Sequence, residues 1–561
     1  MDSRRTERPT RHPPETQTMV APAMASPSQN QNLLEHIGHS AAQAGGGGQV
    51  AGSGQTGLPQ TVAAGQAGQA VAPGQIGQTG AARQVRQDQP ESTQPAAPSD
   101  EYERQPVPPD KTKHWTSFVG LFAGEHVAAT ELLIGPLFVA HGVSAFDLLV
   151  GLAVGNLLAV LSWTLLTAPI AVRHRLTLYY QLEKIGGAGI VRMYNIANGV
   201  LWCCLAGAFI YVSATALFVP LGVPTPALAD WGPSSAGMVA VVLAVGAVIA
   251  VVAAKGYDAV AYFGKIASPW MAAMFVVFGI ASLPELGIRT PADFWQAANQ
   301  IIWKGQPAEG TIHFTFWHVV CFAWFGNMAW HLGMGDLSIF RYARRASYGL
   351  ASAAGMFFGH YLAWITAGLL YAVQLQHDPT DTSVVPGPMA YRVVGWTGIL
   401  LVLFAGWTTA NPVIYRAGLA FQSIRPRWSR ATVTLVAGAV ASLIAIFPGL
   451  CNRFLSIAML YGLILAPMGA VIFADHYLMR RLGMADFYAE RTGRRWHWPP
   501  LAAWVLSLSI CLILYQYAGI QEFFLCLPGW ILSGLIYLAA SRWVQNRHPV
   551  DRPSCTEALA A

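Results

Sequence analysis

Hydrophobic residues along this chain gather into long, nearly unbroken runs, without the short alternation of a half-buried strand. The runs lie near 115–140, 146–172, 192–219, 235–254, 258–284, 313–335, 348–373, 394–421, 431–448, 454–478, 499–518 and 524–541. Each approaches the roughly 20 residues that a helix needs to cross a bilayer. The pattern predicts an all-α polytopic membrane protein, with about 12 transmembrane helices in a domain spanning 111–545. Several runs contain Gly, Pro or a carboxylate, which a spanning helix tolerates only where it faces protein or a water-filled cavity.

The first part of the chain has another character. Residues 1–110 contain a single aromatic, Tyr102, and are dominated by Gly, Gln, Ala, Pro and Ser, as in GGGGQVAGSGQTGLPQ. Such a stretch cannot bury enough apolar area to offset its ordering entropy, so a disordered tail is expected. It has no charged start followed by an apolar run, so it does not read as a signal peptide. Residues 546–561 read as a short C-terminal tail.

Composition and charge narrow the class. The 561 residues are 54% hydrophobic and 11% charged, less than half of the roughly 25% charged in an ordinary soluble protein. A soluble enzyme is excluded on that ground. The net charge of +6 is unevenly placed. With a cytoplasmic N-terminus, the even loops hold Arg173, Arg175, Lys184, Lys255, Arg341, Arg344, Arg416, Arg430, Arg480 and Arg481 among others, and the odd loops only Arg289, Lys304, Arg392 and Arg453. This asymmetry predicts both termini in the cytoplasm and a cell-membrane location. It also explains the positive charge without nucleic acid. The seven Cys show no CxxC or CxxH spacing and read as small apolar core residues. No P-loop, strand-linked GxGxxG or HExxH is present, so neither ATP-driven transport nor the common catalytic motifs are supported.

Within so apolar a chain, the polar groups inside the runs are the candidates for function. A carboxylate at mid-bilayer costs about 2.5–3.5 kcal/mol even on a lenient scale. The first run, GLFAGEHVAATELLIGPLF, places Glu125 and His126 near its middle beside Gly124, with Glu131 under two turns later. A helix interrupted over Gly124–Thr130 would turn free backbone groups toward a cavity; the alternative is that Glu125 pairs with a neighbouring His. The sixth run, FWHVVCFAWFGNMAWHLGMGDLSIFRYARR, carries Gly326, Asn327, Gly333 and Gly335. Breaks in helices one and six are what an inverted five-plus-five repeat would give. The eighth run, AGWTTANPVIYRAGLAF, holds Thr408 and Thr409, then Asn411 and Pro412. Hard cations take oxygen ligands of this kind, although a threonine pair also bonds its own backbone.

Four stretches together resemble the nucleobase–cation symporter family of purine, cytosine, hydantoin and allantoin permeases. They are GNLLAVLSWTLLTAPIAVRHRL in run two, IASPW around Pro269, AGWTTANP, and APMGAVIFADHYLMRR, with its ending from Asp475 to Arg481. The exit GDLSIFRYAR is similar to the family's Asp-x-x-Arg exit, with extra residues before Arg341. The likeness covers about 105–545.

The resemblance implies a LeuT-type fold, two inverted five-helix repeats plus two outer helices, that binds substrate and cation midway. It implies a symporter moving a small nitrogenous heterocycle (nucleobase, hydantoin-like compound or vitamin precursor) inward with sodium or a proton, and no other cofactor. The implied cation ligands are Ala405, Thr408 and Thr409, with helix-one carbonyls near Ala123 and His126. The implied substrate contacts are Glu125, Val127, Trp202, Cys203, Trp324, Asn327 and Asn411. Cys203 stands where the family often has Gln, and Asn327 where it has Trp, so the ring is not carried over. Glu125 suggests a substrate with donor groups or positive charge, or proton coupling. The alternatives are an amino acid or cationic metabolite as cargo, and, remotely, an intramembrane enzyme using Glu125, His318, His331 or His360.

Overall fold

The computed structural model describes residues 101–226 and 230–550, so the expected tail over 1–100 and the last residues, 551–561, lie outside the described residues. Secondary structure among the described residues is helical, with two isolated β-bridges. Among the described residues nine helices are long and apolar enough to cross a membrane: Ala145–His174, Ala188–Phe218, Ala236–Ala254, Tyr257–Ser282, Ala346–His377, Trp396–Ile424, Phe454–Tyr477, Trp498–Ala518 and Glu522–Arg547. Trp115–His126 and Glu131–Ala140 form one further span bent by 53°. The shorter apolar helices Phe316–Phe325 and Arg430–Ile444 occupy the predicted positions six and nine. We number these spans one to twelve in chain order.

Small residues let the spans approach. Gly120 and Gly124 of span one lie on Lys265 and Gly264 of span five, and Gly135 meets the Trp364 carbonyl of span seven. Gly155 of span two meets the Val320 carbonyl of span six. Spans one, two, six and seven thereby form one packed group. Spans three, four, eight and nine form another: Gly406 sits on Ser213, Gly246 on Ser442 and Gly418 on Thr434. Close backbone approach is how helices associate where lipid removes the hydrophobic drive between them. Outward-facing Val248, Val251, Ile280, Val436, Leu443, Ile513 and Leu535 are exposed, as a lipid-facing surface requires.

Residues 101–110, expected to belong to the tail, are instead packed onto this domain. Val107 is 1% exposed, and its N–H donates to the Arg175 carbonyl at 3.1 Å. Glu101 accepts from the Tyr415 hydroxyl at 2.8 Å and the Tyr257 N–H at 2.6 Å, and lies 3.3 Å from Arg430. Arg341 donates to the Tyr102 carbonyl at 2.7 Å. Composition misplaces the boundary because these residues are held by buried polar contacts rather than by apolar area. The strap reaches Glu183 through Arg104, Lys184 reaches Glu490, and Tyr488 reaches the carbonyl of His548. The start and end of the described chain therefore share one face.

The strap gives a direct prediction. A Val107→Cys reporter is expected to react slowly with a maleimide, and severalfold faster once Glu101→Ala removes the contacts to Tyr415, Tyr257 and Arg430. Equal rates would show that these contacts do not hold the strap.

Candidate functional site

Span one stops at His126 because Val127 leaves helical geometry, with φ −85° and ψ 64°, and the chain re-enters a helix at Glu131. Glu131 stands in the first turn of the second half, where a carboxylate is favoured by the helix dipole. Span six stops at Phe325, and a run of turns follows before the short helix Leu337–Phe340. Met334 in this run has φ +63°, and the Gly333 and Gly335 N–H groups reach back to the carbonyls of Met328 and Ala329. Both predicted interruptions are present. They face each other across a cavity of about 60 Å³, room for a few waters.

The cavity is lined by Glu125, His126, Thr130 and Glu131 from span one and by Phe322, Gly326, Asn327 and Trp330 from span six. Leu205 and Phe209 of span three, His360 and Trp364 of span seven, Thr409 of span eight and Phe454 of span ten complete it. On the face away from the chain ends, the Phe209 and Phe454 rings meet at 5.1 Å. Beyond them lies a second cavity of about 140 Å³ between Pro136, Tyr211, Pro226, Pro386 and Arg453, with Phe454 and Leu455 lining both.

The opposite side is closed by charge. Arg416 of span eight is 1% exposed and sits between Glu125 and Asp336. Its Nη1 and Nη2 are 2.5 and 3.1 Å from the Glu125 oxygens, and Nη2 is 2.5 Å from Asp336 Oδ1. The Trp330 indole donates to Glu125 at 2.8 Å and the Trp163 indole to Asp336 at 2.7 Å. The guanidinium also lies over the Trp202 ring at 5.5 Å. Sequence reading put Arg416 and Arg341 in loops; both are buried, Arg416 in the triad and Arg341 against Tyr342, Tyr415 and the strap. The signal was available for Arg416, because the predicted eighth run continues to residue 421. Glu125 pairs with this arginine and not with a histidine.

Around Thr409, oxygens converge. Its hydroxyl is 3.1 Å from the Glu125 carbonyl and 2.9 Å from the Ala405 carbonyl, while Thr408 lies 3.1 Å from the latter. The helix-one carbonyl that reaches span eight is that of Glu125. The Ala123 carbonyl accepts instead from the Val127 N–H at 2.8 Å, and the His126 ring bonds the Phe122 carbonyl at 2.9 Å while reaching the cavity.

The other expected substrate contacts divide. Asn327 lines the cavity and its amide meets His360 at 3.2 Å. Trp202 packs behind the lining against Trp330 and Tyr461 at 5.0 and 4.8 Å. Cys203 is turned away, its thiol directed at the Ala437 carbonyl of span nine, because it follows Trp202 on the helix by about 100°. Trp324 bonds the Ser162 hydroxyl at 3.0 Å and stacks on Phe325, so it serves the contact with span two. Val127 and Asn411 are fully buried beside the cavity and not among its lining residues. Sequence reading missed Trp163, Trp364 and Phe209, which stand in apolar runs with no local polar signal, and noted Asp336 only as part of the GDLSIFRYAR exit.

For the enzyme alternative, His331 bonds the Trp324 carbonyl at 2.9 Å, and His318 caps the start of span six against Thr315. Only Glu125 and His360 of that set reach the cavity. Among the described residues no group of three or more His, Cys, Asp or Glu is placed to hold a metal ion.

Solved structures share this architecture. Mhp1, a nucleobase-cation-symport-1 family transporter in a closed conformation with bromovinylhydantoin bound, is similar with a TM-score of 0.62 and 17% identity, over 82% of this chain and 98% of that one. The inward facing conformation of Mhp1 gives 0.63 and 15%, over 82% and 96%. A Na+-coupled sialic acid symporter in a substrate-bound outward-open state gives 0.57 and 14%, over 81% and 93%. At these identities the likeness is one of fold, and the fold is LeuT-type. No family model matches the chain, and no curated protein matches it in sequence.

Proposed function

We propose that this chain is a secondary active symporter, which brings a small nitrogenous compound across the cell membrane together with sodium or a proton by alternating access. The observation that carries the reading is the double role of Glu125. At the break of span one it offers its carbonyl to Thr409 and its carboxylate to the triad that closes the cavity. The carbonyls of Glu125 and Ala405 with the hydroxyls of Thr408 and Thr409 are an all-oxygen set of the kind a hard monovalent cation takes. A cation there would draw span one onto span eight and hold the cavity open toward the Phe209–Phe454 side. Substrate arriving past those rings would meet Glu131, Asn327, Trp330 and Trp364.

Two further features support the reading. The similar structures are transporters, one of them described as Na+-coupled. The Lys and Arg asymmetry supports a cytoplasmic strap, so release past the triad and the strap would be inward.

Uptake in proteoliposomes tests this. Sodium-stimulated uptake from a panel of labelled heterocycles is expected, and Thr409→Ala should lower the apparent sodium affinity by about tenfold or more by removing one oxygen ligand. Uptake indifferent to both sodium and this substitution would reject sodium coupling. Uptake following a proton gradient and lost in Glu125→Gln would replace it with proton coupling.

A further inference from the structure

The two carboxylates in the cavity wall are not equivalent. Glu125 has a guanidinium against it, while Glu131, among the described residues, has only the partial charge of its own helix N-terminus and no Lys or Arg against it. One Glu131 oxygen accepts from the Trp364 indole. The other lies 3.9 Å from His360 Nε2, beyond hydrogen-bond distance. That ring nitrogen faces the Asn327 amide Nδ2 at 3.2 Å. Nδ1 of the same ring has no hydrogen-bond partner among the described residues. His360 lies flat on Trp364, with ring centroids 4.4 Å apart, and makes no hydrogen bond to Glu131. Arg416, the nearest guanidinium, is shared between Glu125 and Asp336. Among the described residues, the remaining titratable side chain that lines the cavity is the His126 ring.

Resting on the transporter reading, we propose that the substrate is a small, flat organic cation, an azolium or a protonated amidine, whose positive nitrogen group pairs with the Glu131 carboxylate. A buried carboxylate without a counter-charge is costly, and a cationic cargo relieves that cost only while it is bound. The walls suit the same cargo. Trp330, Phe209 and Phe322 border the space in front of Glu131, and an aromatic face attracts a flat cation as well as stacking on it. Asn327 and Thr130 add edge contacts beside it. A neutral ring could offer Glu131 an N–H donor but no counter-charge, so the site discriminates by charge before it discriminates by ring shape.

The test is a thermal-shift titration of the purified full-length protein with matched pairs: benzamidinium against benzamide, and N-methylthiazolium against thiazole. The cationic member of each pair is expected to stabilise the protein and its neutral counterpart to do so weakly or not at all. Glu131→Gln should weaken the cation by about tenfold or more and leave the neutral member unchanged. Glu131→Asp, which keeps the charge, should retain the preference and guards against a variant that merely fails to fold. Equal or better binding of the neutral members, a preference that survives Glu131→Gln, or no stabilisation by either cation would overturn the proposal. The two readings fail separately. Coupled uptake of a neutral heterocycle would overturn the cationic cargo and keep the transporter, whereas charge-selective binding without uptake under any gradient would do the reverse.

Discussion

Arg416→Leu is expected to lower stability by about 3–5 kcal/mol, because it leaves two carboxylates buried without a counter-charge. Both belong to breaks in other spans, so the damage would not stay local: Glu125 ends the first half of span one, and Asp336 begins the exit of span six. Arg416→Lys should recover only part of the loss, since an ammonium cannot reproduce the fork that meets both Glu125 oxygens and Asp336. The informative variant is the triple one, Arg416→Leu with Glu125→Gln and Asp336→Asn. Neutralising the partners together removes the stranded charges and should restore most of the melting temperature. Transport should stay absent, because no guanidinium then ties span eight to both broken helices at once. Melting of the purified protein and uptake after reconstitution measure the two effects. A single Arg416→Leu variant that melts like the parent would show that the triad does not hold the cavity's closed side.

The second large effect is expected at Gly469 of span ten. A Cβ there would stand 1.8 Å from the Leu332 carbonyl and 2.7 Å from Gly333 Cα, both backbone atoms of the unwound part of span six. The Leu332 carbonyl also accepts from the Trp530 indole at 3.0 Å, which leaves it little freedom to yield. Gly469→Ala should therefore cost about 1–3 kcal/mol as overpacking and, by displacing span six, abolish uptake. Gly534→Ala is the control, because its Cβ would meet Ala470 at an ordinary 3.8 Å. Wild-type uptake in Gly469→Ala would mean that span six does not depend on this contact.

These contacts also explain why short stretches of sequence carried the family resemblance. Each touches a broken helix. In span two, Trp163 bonds Asp336 and the Thr167 hydroxyl donates to the His331 carbonyl at 2.6 Å. In IASPW, the Ser268 hydroxyl donates to the Gly120 carbonyl at 2.9 Å. In span eight, Thr409 reaches Glu125. In span ten, Gly469 backs span six, and Asp475 anchors its far end to the Tyr537 hydroxyl at 2.8 Å. A break exposes backbone that needs partners, and these residues supply them.

The place of the helices, both interruptions, and the threonine pair of span eight were legible in the residues themselves, whereas runs six and nine, expected to span, form helices of only ten and fifteen residues. Apolar length and local glycine content are properties of a segment, and a bilayer imposes them one segment at a time. Only the tertiary structure decided which polar groups meet. Arg416 joins Glu125 and Asp336 from 291 and 80 residues away. Residues 101–110 look like tail until Arg341, Tyr415 and Arg430 are set beneath them. Cys203 leaves the site and Trp364 enters it through helix rotation alone. Burial makes a charge seek its partner, but which partner it finds depends on how helices distant in sequence are turned toward one another.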